Sequence, residues 1–235
     1  MKKLGVVILL CMDLIVGRAQ SESVHITRGT KKFEQQSYQE AIECFSKAID
    51  ANKNLELAYY KRGNAKRELL DYTGAIADYD KSIEENPQNY RAYYNRGLTY
   101  SDLDLNDLAI SDYTKSIAIE PDQVSPYVNR GVCLCIENRR DEAMDDFQIA
   151  LQKDPNQTIA LTYQAFIKFE LEDFKGSIAD CNKVLKINKN SSRALLLRGG
   201  AKIGLGKTKS GCRDLERALI LGEPLDLETM DEVCP

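Results

Sequence analysis

The sequence has no tryptophan and a single histidine, His25, in 235 residues. One imidazole cannot build a multi-histidine metal centre. His25 also stands where the equivalent segments downstream carry Tyr59, Tyr93, Tyr127, Leu161 and Leu195, so it reads as a packing residue. No glycine-rich phosphate loop follows a strand pattern, because there is no strand pattern. The carboxylates are spread along polar helix faces rather than paired in an apolar setting, which leaves no general acid–base couple. Cys133 and Cys135 are two apart, a spacing that turns their sulfurs to different sides of a helix. No catalytic residue, cofactor or metal ligand set is expected. A basic stripe is missing as well. The net charge of −4, the pI near 5.3 and the interspersed signs argue against nucleic acid as a partner.

Long apolar runs are scarce. The run LGVVILLCMDLIV at 4–16 follows Lys2 and Lys3 and is short for a bilayer span. It leads into GRAQ, which places Gly17 and Ala19 at the small positions of a cleavage site after Ala19. This layout makes residues 1–19 a signal peptide and the protein an exported one, periplasmic or associated with the cell envelope. Asp13 opposes entry of the run into a membrane, and the alternative is an uncleaved anchor at 4–16, the one route to membrane contact. Cleavage would remove Lys2, Lys3, Arg18 and Asp13 and leave a more acidic chain.

What the chain has in quantity is repetition. AYYKRG at 58–63 returns as AYYNRG at 92–97, YVNRG at 127–131 and LLLRG at 195–199. Gly29, Gly63, Gly97, Gly131 and Gly199 lie on a lattice of 34 residues, with Ala165 at the missing node. A fixed period of this length means stacked structural units. Six copies fit without an insertion: 22–55, 56–89, 90–123, 124–157, 158–191 and 192–225. The twentieth place reads Ala41, Ala75, Ala109, Ala143, Ser177 and Gly211, and the twenty-fourth Phe45, Tyr79, Tyr113, Phe147, Cys181 and Leu215. AIADYDKSI and AISDYTKSI carry an amphipathic helical stripe, and Pro87, Pro121 and Pro155 stop the helices a few residues later. The short segments between paired stripes force antiparallel neighbours. The unit is a helix-turn-helix in which Gly at the eighth place and Ala at the twentieth allow close crossing.

This pattern resembles the tetratricopeptide repeat, with an aromatic at the fourth place (Tyr59, Tyr93, Tyr127), Gly or Ala at the eighth, Ala at the twentieth, an aromatic at the twenty-fourth, Ala at the twenty-seventh (Ala48, Ala150, Ala218) and Pro at the thirty-second. The resemblance implies an all-α, right-handed solenoid of six tandem 34-residue helix-turn-helix repeats. The seventh place departs from the family's aliphatic residue: Arg62, Arg96, Arg130 and Arg198 stand there, matched at the twenty-third by Asp78, Asp112, Asp146 and Asp214. A guanidinium fork suits a carboxylate, so a ladder of structural ion pairs is expected, against a row of arginines facing a ligand. The ladder lapses at Arg28, opposite Cys44, and at Gln164, opposite Asp180.

In the resembling fold the first helix of each repeat lines a concave groove. That implies a partner-binding set of Tyr60, Asn64, Arg67, Arg91, Tyr94 and Asn95 in repeats 2 and 3, and of Asn129, Val132, Phe166 and Phe169 in repeats 4 and 5. Phe166 and Phe169 are the expected anchors, and Asn64, Asn95 and Asn129 the expected holders of peptide backbone. A carboxylate clamp of the kind found in related chaperone-binding domains is in doubt, since Tyr60, Ser125 and Asn129 stand where its cations belong. The last unit of a solenoid needs a cap; residues 226–235 are the expected capping tail, with a possible disulfide between Cys212 and Cys234 to hold it. The function expected is a non-catalytic scaffold or adaptor for another protein or peptide. The alternatives are a solenoid that sequesters an apolar small ligand, and a structural spacer or oligomerising unit.

Overall fold

The computed structural model describes residues 24–51, 56–224 and 234. The proposed signal peptide lies outside the described residues, as does the capping tail apart from Cys234. The described residues form helices without strands. They fall into two compact units, one up to Pro121 and one from Asp122.

Unit 1 holds α1 (described over 24–34), α2 (Tyr38–Ala51), α3 (Glu56–Glu68), α4 (Tyr72–Glu85), α5 (Tyr90–Asp102) and α6 (Asn106–Ile119). Unit 2 holds α7 (Val124–Ile136), α8 (Arg140–Lys153), α9 (Thr158–Glu170), α10 (Phe174–Ile187), α11 (Ser192–Gly204) and α12 (Thr208–Ile220). These are the helix pairs of the all-α tetratricopeptide fold class. First helices pack on their own second helices, and first helices of adjacent repeats also meet, α3 on α5, α7 on α9 and α9 on α11. A wall of first helices therefore forms within each unit.

The turn inside each pair is set by one residue. Gln36, Leu70, Asp104, Asn138 and Glu172 all take positive φ, between 58° and 61°, and Gly206 completes the same lattice at 73°. The left-handed residue lets two backbone donors close the helix end: the Leu70 amide donates to the Arg67 carbonyl and the Asp71 amide to the Lys66 carbonyl, both at 2.9 Å. An L side chain in this region costs about 1 kcal/mol, yet glycine occupies the node only in repeat 6. Helix ends between pairs follow the proline rule, with Asn86, Glu120 and Asp154 extended ahead of Pro87, Pro121 and Pro155. Asn188 takes the same geometry ahead of Lys189, so proline reinforces this stop and is not required for it.

The eighth-place glycines have a sharper purpose than helix approach. A β-carbon on Gly29, Gly97 or Gly131 would lie 2.6, 2.8 and 2.6 Å from the rings of Phe45, Tyr113 and Phe147. The twenty-fourth-place ring lies across the glycine of its own repeat, and fully buried. Repeat 5 solves the same contact differently: Ala165 carries a methyl where its opposite residue is the smaller Cys181. At the chain end, Cys212 and Cys234 are joined by a disulfide, with α-carbons 5.6 Å apart.

Candidate functional site

The seventh-place arginines do not point into open space. Arg62, Arg96, Arg130 and Arg198 each close both fork nitrogens on the twenty-third-place carboxylate of the same repeat, at 2.7–2.8 Å to Asp78, Asp112, Asp146 and Asp214. All four aspartates are buried. The fourth-place ring lies beneath the guanidinium in three repeats, Tyr59, Tyr93 and Tyr127 at 5.6, 5.6 and 6.0 Å. The remaining nitrogen reaches back to the twenty-fifth place of the preceding repeat: Arg62 to Ser46, Arg96 to Asp80 and Arg198 to Asn182. One arginine thus ties two helices of its own repeat and then ties that repeat to its neighbour.

Sequence reasoning passed over the eleventh place. Lys66 and Lys202 add a second cation to Asp78 and Asp214, at 2.8 and 2.6 Å. Where the arginine is replaced by Gln164, Lys168 takes over, and Asp180 is held by Lys168 and Lys183. In repeat 1 Cys44 removes the carboxylate, and Lys32 pairs with Glu40 instead. The signal was present, because places seven and eleven are one helical turn apart and share a face.

The charge balance differs at two of these carboxylates. Burial raises the Asp214 carboxyl, but Arg198 and Lys202 together outweigh it and leave its pKa below the usual value of 3.8. Asp112 is also raised by burial, has Arg96 alone, and must share it with Asp80; its pKa stays above 3.8.

On the first-helix face of unit 1, the predicted residues are joined to one another. The Asn95 amide donates to Asn64 Oδ1 at 2.8 Å and to the Tyr60 hydroxyl at 3.1 Å, and the buried Tyr79 hydroxyl donates to Asn64 Oδ1 at 2.8 Å. Asn64 is therefore partly a core residue, supplying the acceptor that a buried phenol needs. Arg67 is paired with Asp102 of the next repeat at 2.6 Å. Burial works against its charge, but the Asp102 carboxylate prevails and raises its pKa. Arg91 is exposed, 5.0 Å from the Tyr90 ring. Tyr94 packs on Tyr113 at 5.9 Å.

Unit 2 presents a different face. Phe166, Tyr163, Thr162 and Arg193 line a cleft of about 450 Å³. The Arg193 guanidinium lies 6.0 Å from the Phe166 ring, and Tyr163 stacks on Phe147 at 5.6 Å. Val132 and Asn129 are half-buried, and Ile136 and Ile159 expose 60% and 49% of their surface. Phe169 is committed elsewhere. Its ring lies 5.7 Å from Phe174 and presses on Gly200. Phe166 is the anchor that remains at the cleft.

The TPR repeat family model matches residues 29–69 and 63–104, and the tetratricopeptide repeat model matches 90–123. Residues 29–123 carry tetratricopeptide repeats. No curated protein matches the sequence. Among solved structures, PilF of Pseudomonas aeruginosa is similar with a TM-score of 0.78 at 16% identity, over 92% of this chain and 99% of that one. YrrB, described as a TPR protein with an unusual peptide-binding site, gives 0.68 at 19% identity, over 77% and 93%. MamA gives 0.65 at 22% identity, over 73% and 97%. At these identities the likeness concerns the fold.

Within the repeats the thiols are quiet. Burial pushes Cys135 and Cys181 up to about 11, so both are protonated at neutral pH and neither is an activated nucleophile. Among the described residues no group of three side chains is placed to hold a metal ion, and no helix is long and apolar enough to cross a membrane.

Proposed function

We propose that the protein is a non-catalytic scaffold whose first-helix face docks a peptide or helix of a partner protein. The carrying observation is the cleft of Thr162, Tyr163, Phe166 and Arg193. Half-buried aromatic rings in an open cleft, with Ile136 and Ile159 exposed on the same set of first helices, are the composition of a binding hot spot. The solved peptide-binding relative of like fold supports the reading. We also place the protein outside the cytoplasm. The leader-like residues 1–19 and the Cys212–Cys234 disulfide both support an oxidising compartment.

Co-purification from the source organism tests the scaffold. Wild-type protein is expected to retain a partner in stoichiometric amount, and Phe166→Asp to lose it while keeping its helical circular dichroism. Retention of the same partner by folded Phe166→Asp would contradict the proposal. Uptake of an apolar dye into the cleft, displaced by lipid, would favour the sequestering alternative.

A further inference from the structure

The turn edge of repeats 2 and 3 carries leucines that the rest of the lattice lacks. At the fifteenth place stands Leu70, where the other repeats have Gln36, Asp104, Asn138, Glu172 and Gly206. At the sixteenth stands Leu105, against Ser37, Asp71, Arg139, Asp173 and Lys207, and at the nineteenth Leu108, against Glu40, Gly74, Glu142, Gly176 and Ser210. The three leucines expose 69%, 44% and 48% of their surface. At two of these places a polar residue would suit the fold better. Leu70 sits at φ 61°, where an L side chain is penalised and asparagine or glycine is tolerated. Leu105 opens α6 with no side-chain cap, whereas Asp71 and Asp173 at the same place accept from the Gly74 and Gly176 amides.

The two turns lie side by side. Arg67 closes on Asp102 at 2.6 Å, and these residues lead directly into the turns of Leu69 and Leu103, which are exposed as well. Five leucines therefore share one edge of unit 1, at the turns rather than on the first-helix face, and exposed apolar surface gathered in this way marks an interaction site. Its border is of one sign. Residues 68–71 and 102–108 hold Glu68, Asp71, Asp102, Asp104 and Asp107 and no lysine or arginine. Asp102 is met by Arg67, and the other four, all exposed, leave the border negative. Such a border repels an anionic lipid surface and attracts a cationic protein segment.

We propose that this turn edge docks a basic amphipathic segment of a partner protein, with its apolar side on the leucines and its lysines or arginines against Glu68, Asp71, Asp104 and Asp107. The surface is separate from the first-helix face, and the proposal stands without the unit 2 cleft.

The test is fluorescence anisotropy on the full chain with a fluorescein-labelled tetradecapeptide of leucine and lysine in amphipathic helical order. Saturable binding is expected, weakening as salt rises, with a leucine–glutamate peptide of the same order at least about tenfold weaker. The double variant Leu70→Asn with Leu105→Asn keeps the charge, suits the left-handed node and supplies the missing cap. It is expected to bind the lysine peptide at least about tenfold more weakly, the scale of two lost apolar contacts, and yet to melt about 2 °C higher. A lower melting temperature would assign the leucines to the fold and overturn the inference. So would equal binding of the glutamate peptide, unaltered affinity in the double variant, or no saturable binding of the lysine peptide. Binding lost in Phe166→Asp instead would move the peptide to the unit 2 cleft, and binding to phosphatidylglycerol vesicles that the double variant loses would replace the protein partner with lipid; either overturns it.

Discussion

The two units write the same lattice with opposite surface chemistry, and the difference begins in the core. In repeat 2 the ring across Gly63 is Tyr79, whose hydroxyl needs an acceptor, and Asn64 at the ninth place provides it. That asparagine then recruits Asn95 and Tyr60 into a polar patch. In repeats 4 and 5 the corresponding core residues are Phe147 and Cys181, with no hydroxyl to satisfy. The ninth place there is Val132 and Phe166, and the face is apolar. In repeat 2 the polar patch is thus tied to one buried side chain below it, whereas repeat 3 sets Leu98 at the ninth place above the equally buried Tyr113.

The largest expected effect attacks what the units share. Asp146→Ala leaves the Arg130 guanidinium without its buried carboxylate and is expected to cost about 3 kcal/mol, the lower end for breaking such a pair; urea denaturation measures it. Asp180→Ala should cost less, since lysines with flexible stems, Lys168 and Lys183, can swing to water.

Next comes the ring-on-glycine contact. Gly131→Ala forces a methyl to within 2.6 Å of Phe147 and is expected to cost about 2 kcal/mol by overpacking. Adding Phe147→Cys should recover part of that loss, reproducing the Ala165–Cys181 pair of repeat 5. A double variant no better than Gly131→Ala would break the account of the repeat 5 exception.

A smaller effect tests the coupling of core and groove. Tyr79→Phe deletes the phenol that holds Asn64 and is expected to cost about 1 kcal/mol, the net worth of one hydrogen bond. Its informative readout is the Asn64 and Asn95 side-chain amide resonances, expected to gain motion while those of unit 2 stay unchanged.

The smallest effect separates repeats 3 and 6 by pH. Asp214 lies below 3.8 in the fold, so its contribution is present above the unfolded value and is lost as pH falls through the folded one. Asp112 lies above 3.8, so its ionisation removes stability as pH rises through its folded value. Between about pH 3 and pH 7, Asp214→Asn should shrink the wild-type gain in stability and Asp112→Asn should enlarge it.

The lattice of 34, the helix pairs and the Arg–Asp partners could be read from the sequence because each depends on a fixed spacing that the backbone of a helix enforces. The eleventh-place lysines were equally legible at one turn from the arginines. Other features were not. Asn64 and Asn95 are 31 residues apart and meet only because repeats stack, and nothing in spacing distinguishes an asparagine facing a ligand from one serving a buried phenol. Phe166 and Phe169 looked alike as anchors, until Gly200 and Phe174 claimed Phe169. The left-handed node escaped notice because Gln36, Leu70, Asp104, Asn138 and Glu172 share no chemistry, only a turn.

The most direct measurement is photo-crosslinking in the source organism, with a crosslinking amino acid at Phe166 in the unit 2 cleft and a control at Gln148, exposed on α8. A scaffold with a specific docking face predicts one dominant protein captured from Phe166 and not from Gln148. No adduct, or the same adducts from both positions, would contradict it and leave the spacer reading in its place.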